Sequence, residues 1–317
     1  MSKVCLQTVC ALFVVLVCFS PAWSASSKVG GSVMNNVRSG NLEVVHRGGS
    51  STGTGGVRGV HATAGAIELK GSTIGGSVFN VVHTDKLSLT STGGNNGAAV
   101  AAVALGNSTV DGTLVNRIQS SEILSLQDGQ NNLNLAASVV LENSSVHGSV
   151  DNQVDSQVIT VVANGTDNQS IAGSIALFDS EVRDNVENIV QVATLTALTD
   201  GNGNQAHAAA VVMEGGSAHA VTNIVEAETV SAMATGDASI ANAASVNLYH
   251  AAVNGEIVNN VTAGEIIAEA RNGGRVDLGS VDIRNSVVDG AIYNLSQDSM
   301  QGSADGGIVT INSVIEE

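Results

Sequence analysis

The chain has 317 residues and a formal net charge of -17, with 12 Lys and Arg against 29 Asp and Glu, which removes the electrostatic case for binding nucleic acid or an anionic membrane surface. Aromatic residues make up 2% of it and the only proline is Pro21, so a core of large side chains is excluded and the apolar material must be Val, Ile, Leu and Ala. The three cysteines, Cys5, Cys10 and Cys18, all lie at the start, which excludes disulfide, thiol or zinc–cysteine chemistry from residue 26 onward.

Lys3, the apolar run Val9 to Phe19 and the small-residue site Ala22 to Ala25 read as a secretory signal peptide, residues 1–25, cut after Ser24 or Ala25. The mature chain is therefore expected to be secreted, to the extracellular space or the cell surface. No later run is long and apolar enough to span a membrane as a helix.

From Val29 onward a nine-residue pattern VxGxVxNxV returns: VGGSVMNNV (29–37), IGGSVFNVV (74–82), VDGTLVNRI (110–118), VHGSVDNQV (146–154), VRDNVENIV (182–190), SAHAVTNIV (217–225), VNGEIVNNV (253–261) and VDGAIYNLS (288–296). Its asparagines, Asn35, Asn80, Asn116, Asn152, Asn188, Asn223, Asn259 and Asn294, are 45, 36, 36, 36, 35, 36 and 35 residues apart, a step regular enough to be a structural repeat. Apolar residues and asparagine alternate with polar ones, so in an extended strand they share the inner face. Stacked repeats would place the eight asparagines in a column, each amide donating to the next and fixing register.

A second strand follows each motif, as in KLSLTS (86–91), EILSLQ (122–127), QVITVV (157–162) and ATLTAL (193–198), then a turn such as DGQNN (128–132), NGTDN (164–168) or DGNGN (200–204). Gly and Asn supply the positive φ values of sharp corners. The third strand is the most apolar, as in AAVAAVAL (98–105), AASVVL (136–141), AGSIAL (172–177) and AAAVVM (208–213). Its opposite face is small and uncharged at Ala102, Ala104, Ser138, Val140, Ser174, Ala176, Ala210 and Val212, and is expected to be an outer face for lateral pairing of filaments or for docking on a cell surface. An Asn-Ser or Asp-Ser corner, at Asn107, Asn143, Asp179 and Asn285, leads into the next repeat.

These elements predict an all-β fold, a parallel β-solenoid (β-helix) forming one domain over residues 26–317, with repeats starting near 29, 74, 110, 146, 182, 217, 253 and 288 and three short strands per coil. Eight coils at about 4.8 Å each give a rod about 40 Å tall. Antiparallel hairpins about the Gly/Asn turns are the alternative. The extra GGSSTGTGGVRG, 48–59, reads as a flexible loop.

No catalytic or metal motif stands out, and no cofactor is expected. The seven histidines fall at scattered phases, the turns lack the calcium-binding GGxGxDxUx nonapeptide, and GxSxG, HExxH and phosphate loops are absent. A polysaccharide-active β-helix enzyme would need a groove with fixed charges and aromatic platforms, for which Arg271, Arg275 and Arg284 are the only basic cluster. An ice-binding face would need a threonine ladder that is missing.

Neither end of the pattern carries a convincing cap. The expected assembly ends are Val29, Val33 and Val37 at one side and Ile308, Val309, Ile311 and Val314 at the other. Joined head to tail, such ends do not close and give a filament. The units ILSLQDGQNNLNLAASVVL (123–141) and LTALTDGNGNQAHAAAVVM (195–213) resemble the repeats of secreted bacterial functional amyloids such as curlins and Fap-type fibre subunits. The resemblance covers the second half of each repeat, without the regular glutamine ladder of curlins, and implies an extracellular matrix, biofilm or appendage role. The expected partner is the chain itself, as a head-to-tail homopolymer, with a cell surface or matrix beside it. A monomeric secreted adhesin, binding through one coil such as loop 48–59, is the alternative.

Overall fold

Inward residues of the third and fourth repeats differ little in size, so one coil fits on the next at every position. In a computed structural model, which describes residues 27–47, 60–93, 97–237, 239–270, 274–296, 299–304, 308–311 and 314–316, every strand pair among these residues is parallel. The antiparallel alternative is thereby removed. The expected signal peptide and loop 48–59 lie outside the described residues.

Each coil contributes one strand to each of four sheets, not three. In the fourth coil these are Ser145–Val146 (sheet A), Val150–Asn164 (sheet B), Gln169–Ala172 (sheet C) and Ile175–Phe178 (sheet D). Among the described residues, sheets A, C and D hold eight strands each; sheet B holds eight on its path, with Ser299–Ala304 completing the last rung beside Ile292–Ser296. The coils, counted as 27–71, 72–107, 108–143, 144–179, 180–215, 216–250, 251–285 and 286–317, stack in register, as in Asn116 opposite Asn152 and Val139 opposite Ile175, with a one-residue shift between Val60 and Ala62 of the first coil.

The strands differ from the expected ones in three ways. The first motif breaks at its glycine, so Val146 closes sheet A and Val150 opens sheet B, both facing one core. The rest of that motif and the second strand form one 15-residue strand, in which the inward phase slips once, between Ser120 and Ile123. The third strand splits in two at a left-handed corner, Ala101, Ala137 and Ala209 with φ of 49, 51 and 51°. An alanine there is not a turn signal in sequence, and its conformation costs about 1–2 kcal/mol. Its methyl group offsets that cost by filling the core between sheets B and C.

The corner divides the interior. Ile123, Ile159 and Leu195 of sheet B pack with sheet C in one core, while Val103, Leu141 and Ile175 of sheet D pack with sheet A and the start of sheet B in a second. At the Gly/Asn turns the coils approach so closely that a Cβ on Gly129 would overlap the carbonyl oxygen of Gly93, and one on Gly165 that of Gly129. Only glycine permits that stacking.

Candidate assembly interface

The asparagines occupy the waist between the two cores. Asn35, Asn80, Asn116, Asn152, Asn188, Asn223 and Asn259 each donate through Nδ2 to Oδ1 of the next, ending on Asn294, at 2.8–3.0 Å. The second amide hydrogen goes to the left-handed corner: Asn116 to Ala101 O at 3.2 Å, Asn152 to Ala137 O at 3.0 Å, Asn188 to Gly173 O at 3.1 Å and Asn223 to Ala209 O at 3.1 Å. One side chain therefore ties neighbouring coils together and holds the apex of sheets C and D against sheet B. A buried amide left unpaired costs about 1–3 kcal/mol, so the column fixes register as well as contributing stability. All donors run the same way, which gives the rod a direction.

Serine does a related task at the corners. Ser72, Ser108 and Ser144 each donate through the backbone N–H to Oγ of the next serine, Ser108, Ser144 and Ser180, at 3.1 Å. This is the reason for the repeated Asn-Ser and Asp-Ser pairs: the first residue takes φ near 48°, and the second supplies an acceptor. The serines beyond the first corner work alike, Ser174 accepting from Ala210 N at 3.0 Å.

The expected lateral face is a correction. Ala102, Ala104, Ser138, Val140, Ser174, Ala176, Ala210 and Val212 are at most 5% exposed. Because the chain turns at the corner, the outward sides of sheets C and D meet one another, and these residues fill the angle together with Ala99, Leu135 and Ile171. They cannot serve as a docking surface without opening that angle.

Further along the same angle the filling changes. The column Leu135, Ile171 continues as His207, Asn242 and Asp277, and the column Val140, Ala176, Val212 as Asn247 and Asp282. His207 Nδ1 meets Asn242 Nδ2 at 3.0 Å, which suits a neutral ring protonated on Nε2, and burial pushes its pKa down to about 4. Arg275 donates to Asp277 at 2.8 and 3.2 Å and pairs with Asp282, which Arg284 reaches at 3.3 Å. The guanidinium of Arg275 lies 5.3 Å from the centre of the Tyr249 ring, whose hydroxyl is pushed up to about 12, by burial first and by Asp277 second. Two arginines of the expected basic cluster thus meet two fully buried carboxylates; Arg271 lies outside the described residues. The pattern break at Asp277 and Asp282 was the sequence signal for this cluster.

Other histidines make local contacts, His83 with Gln119 at 2.8 Å and His147 with Asp111 at 3.3 Å. Among the described residues no group of three or more His, Cys, Asp or Glu side chains is placed to hold a metal, and no helix is long and apolar enough to cross a membrane.

At the ends, the strands Ser27–Val29, Val33–Arg47, Val60–Ala64 and Ile67–Lys70 of the first coil have, among the described residues, a partner on one side only, as do Val287–Val288, Ile308–Ile311 and Val314–Glu316 of the last. Val29 is exposed, Val33 half-buried and Val37 buried; Ile308, Val309, Ile311 and Val314 lie on the edge strands of sheets C and D. Among the described residues, the exposed large apolar side chains are Val29, Met34 and Val45 in the first coil, Val287, Tyr293, Leu295 and Ile311 in the last, and Val158 between them. Comparison with family models, curated proteins and solved structures finds no match to this chain.

Proposed function

We propose that this protein is a structural subunit of an extracellular filament or matrix, added end to end by continuing the solenoid from the last coil of one copy into the first coil of the next. The observation that carries the reading is the pair of edge rungs: among the described residues, four parallel sheets present edge strands at each end, and the apolar exposure is concentrated there. An unpaired sheet edge is a template for another strand. Continuation would place Asn294 over Asn35 and Tyr293 over Met34, extending the ladder and covering side chains that stand 49% and 68% exposed. Export by the amino-terminal segment and a role without catalysis belong to the same proposal.

Negative-stain electron microscopy of the purified protein at rising concentration tests it. Unbranched filaments with an axial subunit repeat of about 40 Å, eight rungs at the strand spacing, are expected. Short rods that stay single at every concentration would overturn the reading in favour of a monomeric adhesin.

A further inference from the structure

Charge is distributed unevenly along the rod. The first coil, 27–71, carries Lys28, Arg38, Arg47, Arg58 and Lys70 against Glu43 and Glu68, a formal +3, and so holds five of the 12 Lys and Arg of the chain. The last coil, 286–317, carries Asp289, Asp298, Asp305, Glu316 and Glu317 with no Lys or Arg, a formal -5. None of the six coils between them is net positive. Restricted to described residues, the two ends are still +2 and -2. The bases lie on the edge strands themselves: Lys28 on that of sheet A, Arg38 and Arg47 on that of sheet B, and Lys70 on that of sheet D.

We propose that this gradient selects the partner and its orientation: a second copy of the chain docks its acidic last coil on the basic first coil, in one polarity only. The inference rests on the end-to-end reading above and adds to it which ends meet and what chooses them. Two first coils repel, as do two last coils, whereas unlike ends attract. Charges on facing rungs would lie within the Debye length of about 8 Å at physiological salt, while most of the remaining acidic charge of each rod lies beyond it and is screened. Complementary charge of this kind acts on association rate and on rejection of wrong pairings. It agrees in direction with the asparagine column, which has a donor sense that only head-to-tail stacking continues.

Two variants test the proposal. One reverses the first coil, from +3 to -3 (Lys28→Glu, Arg38→Glu, Arg47→Glu), and the other the last, from -5 to +3 (Asp289→Lys, Asp298→Lys, Asp305→Lys, Glu316→Lys); circular dichroism and thermal unfolding establish that both retain the fold. Each alone should elongate at least roughly tenfold more slowly than the unaltered protein, because its own junction now joins like charges. An equimolar mixture should recover elongation, since the altered ends are complementary and the unaltered ends still match. Single variants that elongate at the unaltered rate, or a mixture that stays slow, would overturn the proposed charge selection while leaving the filament reading standing. An unaltered protein that never elongates would overturn both.

Discussion

The angle between sheets C and D is filled in two ways along one rod. In the second to fourth coils it holds Ala99, Ala104, Leu135, Val140, Ile171 and Ala176; in the sixth and seventh it holds Asn242, Asn247, Asp277 and Asp282, with Arg275 and Arg284 closing over the carboxylates. Backbone register is unchanged between the two regions. The difference teaches that register comes from the asparagine column, the corner serines and the glycine turns, which are common to both, so that the angle is free to be either oily or ionic provided it is full. A buried ion pair gains less from its attraction than it loses if one partner goes.

That asymmetry yields the largest expected effect. Asp282→Ala leaves Arg275, whose side chain is 12% exposed, with half of its partners gone, and should cost about 3–5 kcal/mol in urea denaturation. In the oily region the matching loss is Leu135→Ala, a fully buried side chain, expected to cost about 3 kcal/mol. The damage should be local in both cases, with amide exchange rising in the altered coil and its neighbours first.

His207, at the boundary between the two regions, sharpens the comparison through pH. Its folded pKa of about 4 lies below the ordinary 6.5. The unfolded chain therefore binds the extra proton first, and the stability tied to the neutral ring is complete above pH 6.5 and lost as pH falls toward 4. The loss is about 3 kcal/mol. His207→Asn keeps an amide opposite Asn242 and removes the titration, so the difference between the stability–pH curves of the two proteins should show that slope and be flat above pH 7. The smallest effect is expected when the ionic filling is replaced as a set, giving the seventh coil the residues of the third: Arg275→Leu, Asp277→Leu, Asp282→Val and Arg284→Glu. Stability within about 2 kcal/mol of the unaltered protein, or above it, is the expected result; a loss as large as that of Asp282→Ala alone would mean the ions specify the fold.

Much of this architecture was legible in the sequence because it repeats at a fixed phase. Asn116, Asn152 and Asn188 stand at the same phase with valines two residues to either side or nearly so, and both the column and the parallel stacking follow from that. The corner at Ala101, Ala137 and Ala209 was not legible, because alanine gives no turn signal and the strands around it read as one apolar run. The glycines at the equivalent positions, Gly65, Gly173 and Gly279 with φ of 62, 57 and 51°, were the available clue. Missing the corner turned a buried angle into an expected outer face. The pairing of Arg275 with Asp282 was hidden for the same reason, since it crosses that angle, from Arg275–Leu278 to Val281–Arg284.

Backbone amide exchange of the end rungs, measured in dilute and in assembled protein, tests the end-to-end account most directly. Amides of Val33–Arg47 and Ile292–Ser296 should exchange faster than those of the central rungs in dilute protein, and gain protection on assembly to match central strands such as Val150–Asn164. Assemblies in which the two end strands exchange as fast as they do in dilute protein would mean that the rods associate through another surface, and would contradict it.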